Sequence, residues 1–203
     1  MKQQKNNHFS LAGKITDVRY EHEIRGEKFY YLELETARDS RYIDTIPALV
    51  SELLLDDPKD CIGKRIHIEG QYRSRNIKKG GVSHLKLYAF AQELTFIASD
   101  TSDKNEIYLD GFVCKEPIFR ETPMRRWITD LCVALNRPYG VSDYIPCIVW
   151  GCNAKRAASY KVGEKITICG RIQSRIYQKR TDGELEERIV YEVSAGSINR
   201  STK

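Results

Sequence analysis

Four segments of this 203-residue chain recur in the same order, and that recurrence limits the fold more than anything else in it. Asn7-His-Phe-Ser-Leu-Ala-Gly13 returns as Asn105-Glu-Ile-Tyr-Leu-Asp-Gly111. Asp44-Thr-Ile-Pro-Ala-Leu-Val50 returns as Asp143-Tyr-Ile-Pro-Cys-Ile-Val149, and Ile62-Gly-Lys-Arg-Ile-His-Ile-Glu-Gly70 as Val162-Gly-Glu-Lys-Ile-Thr-Ile-Cys-Gly170. Ser74-Arg75 returns as Ser174-Arg175. The offset grows only from 98 to 100 across these anchors. A duplication is the simplest account, so whatever unit the second half forms, the first half forms again.

Within each repeat the apolar residues alternate and turn residues punctuate them, which is the pattern of half-buried strands. The first repeat is expected to hold strands near 8–20, 27–36, 42–50, 64–75 and 83–97. A short helix over Ser51 to Leu55 would be capped by Ser51. Lys78-Lys-Gly-Gly81 marks a hairpin turn. The second repeat is expected to hold strands near 105–116, 126–136, 143–151, 164–176 and 187–198. Its helix at about 153–160 would start from Asn153 as cap. Thr122 to Arg125 and Tyr177 to Glu187 read as hairpin loops, with Thr181-Asp-Gly183 as the turn signal in the longer one. The division is residues 1–98, a polar linker over 99–104, and residues 105–203.

Charge narrows the choice of partner only slightly. The net charge is +5; residues 1–100 hold 16 Lys and Arg against 15 Asp and Glu, and residues 101–203 hold 17 against 13. The second half is the more basic, though two solvated surfaces of mixed charge fit the same counts. The six cysteines lack paired metal-ligand spacing, so no zinc site is expected. Cys132, Cys147 and Cys169 fall in apolar strand patterns and read as small buried hydrophobes. No apolar run of about eighteen residues exists and residues 1–10 carry no signal-like segment, so the expected location is cytoplasmic, with no membrane span. The four histidines are scattered through the first half. No phosphate-binding loop, paired metal-binding carboxylates or nucleophile-base set can be assembled, so neither catalysis nor a cofactor is expected. Asp130 and Asp143 flank strands and read as solvated carboxylates.

The stretch Ser142 to Tyr177 carries the functional signal. Tyr144, Ile148 and Trp150 share one parity, and Ile145, Cys147 and Val149 share the other. Arg171, Gln173, Arg175 and Tyr177 share a parity on a second strand. Aromatic rings and guanidinium groups on one sheet surface are the composition of a platform for unstacked bases. The bland alternatives are a core Trp, a solvent-facing loop Tyr and solvated surface arginines.

Asn105 to Gly111, Lys115-Glu-Pro117, Asp130 to Arg137, Asp143 to Gly151 and Val162 to Arg175 together resemble the bacterial single-stranded DNA-binding protein family. The resemblance covers about the C-terminal half, in order and with family-like spacing. It implies an OB-fold, a five-stranded Greek-key barrel with a helix between its third and fourth strands. The duplication extends this to an all-β chain, with short helices, made of two tandem OB-folds. The family stacks bases on aromatics at four positions, which fall here on Tyr139, Tyr144, Trp150 and Tyr177. The matching places in the first repeat, near Asp39 to Arg41, Thr45, Ser51 and Ile77, offer no ring, so that repeat reads as degenerate and mainly structural. Phosphate contacts are expected from Arg137, Arg171, Arg175, Arg125, Arg126, Lys179 and Arg180. Trp127 stands in a hairpin where the family usually has Gly-Arg, and adds either a further contact or packing. The implied partner is single-stranded DNA, with a nucleoid-associated role in replication, recombination or repair. The second reading is an adaptor of a primosome or mobile-element replication complex that acts mainly through protein partners. The resemblance also implies four OB-folds working together, which two chains reach as a homodimer. Members commonly end in a flexible segment with an acidic tip; Ile198-Asn-Arg-Ser-Thr-Lys203 is basic, so that tail is expected to be missing.

Overall fold

The computed structural model describes residues 6–55, 57–181 and 184–201, without the side chains of 79, 177–181, 184–186 and 188. Its first repeat contains β1 (Asn7–Ile24), β2 (Glu27–Ala37), β3 (Ile43–Ser51), β4 (Arg65–Lys79) and β5 (Val82–Ile97). β1 pairs with β2, β2 with β3 and β5 with β4, all antiparallel, while β3 runs parallel to β5. β4 returns to β1 and closes the barrel. The second repeat contains β6 (Lys104–Val113), β7 (Ile118–Glu121), β8 (Trp127–Asn136), β9 (Ser142–Trp150), α1 (Cys152–Ala157), β10 (Lys165–Thr181) and β11 (Glu184–Arg200). It closes the same way, with β6 on β8, β8 on β9, β9 parallel to β11, β11 on β10 and β10 on β6. Both units are therefore OB-folds. Alternation explains the cores: Ile145, Cys147 and Val149 point in from β9, as Ile46, Ala48 and Val50 do from β3.

The two barrels join through β1 and β6, which pair antiparallel. Phe9 sits opposite Ile107, its own counterpart at the 98-residue offset, so a pseudo-twofold axis passes through that pair. The repeated anchors explain themselves around this axis. The Asn7 side chain donates to Tyr72 O at 2.7 Å and accepts from Tyr72 N at 2.9 Å; Asn105 does the same with Ile172, at 2.7 and 2.9 Å. Each asparagine thus satisfies a backbone pair that would otherwise be buried without partners. Gly70 and Gly170 sit at matching bulges, where a Cβ would lie 2.0 Å from Phe90 O or 2.1 Å from Ser194 O.

The other anchors brace one repeat against the other. Ser74 N donates to Asp143 Oδ1 at 2.7 Å, and Tyr144 N to Ser74 Oγ at 2.8 Å. In the counterpart, Ser174 N donates to Asp44 Oδ1 at 2.8 Å, and Thr45 N to Ser174 Oγ at 3.2 Å. Asp143 is therefore fully buried, not solvated as its strand-flanking place suggested. Asp130 fits the simpler reading, half-buried and bonded to Arg120 Nε at 2.7 Å.

Several boundaries differ from expectation for local reasons. β6 stops at Val113 and a separate β7 pairs with β8; Pro117, just before β7, has no N–H to donate. The segment 177–187 is no loop: β10 runs to Thr181 and β11 starts at Glu184, with Tyr177 opposite Arg188. The turn signal Asp182-Gly183 lies outside the described residues. Gly80 and Gly81, at φ 58° and 79°, form the tight turn between β4 and β5. Ser51 caps a one-turn 3-10 helix over Glu52–Leu54, accepting from Leu53 N at 3.2 Å. α1 starts from Gly151 at φ 61° rather than from Asn153, which lies inside the first turn. Cys147 is buried as expected, but Cys132 is only partly buried and Cys169 is exposed. Cys169 stands at the β10 bulge, opposite the exposed Tyr108.

Candidate nucleic-acid interface

Strand β9 presents Tyr144 and Trp150 outward, 44% and 37% exposed, with Ile148 between them almost covered. Trp150 lines a groove of about 550 Å³ with Arg171 and Arg175 of β10, Arg126 of the β7–β8 hairpin, and Arg38 and Tyr42 of the first repeat. The last two are absent from the residues expected from sequence. They arrive through the brace: Arg38 Nε donates to Asp44 Oδ2 at 2.6 Å, and Asp44 holds the Ser174 amide. The Arg38 guanidinium lies 4.5 Å from the centre of the Tyr42 ring. A signal was available in the duplication, because Arg38 and Arg137 each stand six residues before the repeated aspartate.

The groove crowds its cations. Arg171 Nη2 reaches Gln173 Oε1 at 3.4 Å, while its buried Nε has no hydrogen-bond partner among the described residues. Burial and then the neighbouring Arg38 lower its pKa, against the pull of Asp44 and Asp39. It remains a cation, because a guanidinium starts so far above neutral pH. Arg175 is half-exposed, with Nε 3.6 Å from Glu192 Oε1.

The hairpin before β8 adds a second depression, between Trp127 and Trp150, lined also by Arg125, Arg126 and Gly151. Arg125 takes the left-handed turn position at φ 56°, uncommon for a residue other than glycine. Thr122 N donates to Arg126 O at 2.8 Å and closes the tip. The Lys155 ammonium lies 3.5 Å over the Trp127 ring, so one face of that ring already has a cation.

The remaining expected residues divide away from Trp150. Arg137 Nη2 bonds the buried Asp143 at 2.9 Å and faces a different groove, on the first repeat. Tyr144 is tied at the same end, through its amide to Ser74. Tyr139 is fully exposed at φ 66° in the turn after Arg137. The side chains of Tyr177, Lys179 and Arg180 lie outside the described residues. Burial raises the Asp143 pKa, opposed by the Ser74 amide, Arg137 and Arg73. Away from these grooves, burial and then a side-chain hydrogen bond with Cys114 push the Cys132 thiol up to about 12, so it stays protonated.

The chain is thus of the tandem OB-fold class, two barrels fused about a pseudo-twofold axis with rings and arginines on an open sheet face. The profile of the Single-strand binding protein family matches residues 104–201. The chain is 33% identical over 101 residues to the single-stranded DNA-binding protein of Halalkalibacterium halodurans, covering 46% of this chain and 58% of that one. It is 35% identical over 101 residues to that of Clostridium tetani, covering 46% of this chain and 68% of the relative. In structure it is similar to the wild-type single-stranded DNA binding protein from Thermus aquaticus, with a TM-score of 0.70 and 19% identity, over 97% of this chain and 93% of that one. The chain belongs to the single-strand binding protein family. It spans 58–62% of the length of the first three curated relatives it matches.

Proposed function

We propose that this protein binds single-stranded DNA without sequence preference and shields it during replication, recombination or repair, in the cytoplasm and at the nucleoid. The observation that supports this reading best is the Trp150 groove, which sets an exposed ring among four arginines from both repeats. Bases stack on Trp150, and phosphates lie against Arg126, Arg171, Arg175 and Arg38. Stacking tolerates any base because each has a flat face, and duplex is refused because its faces are already covered. Tyr139, Tyr144, Tyr177, Lys179 and Arg180 continue the path beyond the groove, with Arg125 and Trp127 at its hairpin edge. Residues 105–203 form the main binding domain, residues 99–104 the linker, and residues 1–98 mainly its structural partner.

The test is quenching of tryptophan fluorescence by an oligothymidine strand of about 30–40 nucleotides, at low and high salt. The expected result is strong quenching that salt weakens only in part. Binding without quenching that salt abolishes would leave phosphate contacts alone and overturn the stacking face. We further propose a homodimer that brings four OB-folds together. Light scattering at micromolar concentration is expected to give twice the chain mass, and a single chain mass would sink the dimer.

A further inference from the structure

The second barrel is thinly joined where it closes. Strand β1 pairs with β2 from Lys14–Glu35 out to Ile24–Glu27, whereas β6 pairs with β8 at Phe112–Ala134 and Val113–Val133 alone among the described residues. At the next position Cys114 stands opposite Cys132, its amide donating to Cys132 O at 2.9 Å. Beyond it the strands part, and β8 takes β7 as partner from Asp130 back to Trp127. In the first repeat the matching pair is Thr16 and Glu33. Thr16 Oγ1 donates to Glu33 O at 3.3 Å, as Cys114 Sγ donates to Cys132 O at 3.2 Å. The first repeat then resumes its ladder at Asp17–Glu33. The second repeat has two thiols at that point instead.

Thiols so placed can close on each other. Residues directly opposite on antiparallel strands have Cα atoms about 4.5–5.5 Å apart, inside the roughly 4.4–6.8 Å that a disulfide spans. Both cysteines are only partly buried. Cys132 has the parity of Asp130 and Ala134 on β8, opposite to the core residues Leu131 and Val133, so a small oxidant can reach the pair. Burial, and then a hydrogen bond between the two side chains, keep the Cys132 proton in place, so the attacking sulfur is that of Cys114. Cys147 is no competitor: it lies in the core, opposite Leu131 rather than Cys132, with its thiol 3.5 Å from Ile145 O.

We infer that Cys114 and Cys132 form a redox-sensitive clasp that locks β6 to β8 when hydrogen peroxide is present. The Cys114 thiolate attacks one peroxide oxygen, the O–O bond breaks, and the other oxygen takes up a proton and leaves as water, so that Cys114 becomes a sulfenic acid. The Cys132 sulfur then attacks the Cys114 sulfur, the S–O bond breaks, and the hydroxide leaves with the Cys132 proton as a second water. Two thiols are oxidised to one disulfide while one peroxide is reduced to two waters. The new bond encloses residues 115–131 and ties the strands where their hydrogen bonds run out, so the second barrel resists unfolding. In a reducing compartment the pair stays as thiols until the oxidant appears.

The test uses the full chain with its two exposed cysteines changed, Cys152→Ser and Cys169→Ser, which leaves Cys61, Cys114, Cys132 and Cys147. Hydrogen peroxide is expected to remove two of these four thiols, with peptide mapping joining Cys114 to Cys132 and dithiothreitol restoring both. The thermal midpoint should rise by about 5 °C or more on oxidation and fall back on reduction. Cys114→Ser or Cys132→Ser should abolish the link, and Cys147→Ser should leave it intact. A chain that keeps all four thiols, gains oxygen at Cys114 without a link, or joins Cys132 to Cys147 would overturn the pairing. A Cys114–Cys132 bond that leaves the midpoint unchanged would overturn the clasp.

Discussion

Replacing Trp150 with alanine is expected to weaken binding of an oligothymidine strand by about five- to a hundred-and-fortyfold, the loss of one stacked base at roughly 1–3 kcal/mol. The ring qualifies because it is outward-facing yet partly buried, so it is fixed in direction before a base arrives. Arg126, Arg171 and Arg175 line the same groove. Trp127 provides the internal comparison. Lys155 already lies over its face at 3.5 Å, so Trp127→Ala should cost less affinity than Trp150→Ala. Trp150→Phe should recover most of the loss, since a flat ring is what stacking needs. Affinity measured at one fixed salt concentration reads all three variants. A Trp150→Ala protein that binds within twofold of the parent would mean that phosphate contacts alone hold the strand.

The repeated anchors made the fold legible, because each does a backbone job that the fold cannot drop. Asn7 and Asn105 satisfy a buried amide and carbonyl, and Gly70 and Gly170 sit where a Cβ would strike a carbonyl oxygen. The parity of β9 was legible for the same reason, and Tyr144 and Trp150 do face outward. What parity cannot tell is distance along the strand. Six residues at about 3.3 Å each put those rings some 20 Å apart, one at the Trp150 groove and the other beside Ser74. The first repeat's contribution to the Trp150 groove was hidden for another reason. Parity and spacing act within one repeat, whereas Arg38 and Tyr42 cross between repeats. The burial of Asp143 is hidden for the same reason, since the amide it holds lies 69 residues away.

The largest stability effect should come from that aspartate. Asp143→Ala is expected to destabilise the protein by about 3–5 kcal/mol, the usual cost of removing one partner from a buried ion pair. The carboxylate accepts from the Ser74 amide and from Arg137, with Arg73 3.9 Å away. Without it the amide loses its partner and two guanidinium groups face each other across the seam between the repeats. Urea unfolding reads the loss, and a change under about 1 kcal/mol would mean the brace does not bind the repeats together. The ion pair itself need not be net stabilising, because burial raises the Asp143 pKa despite the three groups that favour its charge. Adding Arg137→Gln to Asp143→Ala should therefore cost less than the two single substitutions summed. The pH dependence has a definite sign. A carboxyl whose folded pKa lies above its unfolded value contributes stability that is complete below the unfolded pKa and fades as pH rises through the folded one. The stability gap between the parent and Asp143→Asn should then be wider in acid than at neutral pH. A gap that widened as pH rose would mean that Arg137, Arg73 and the Ser74 amide, rather than burial, set the ionisation of this carboxyl.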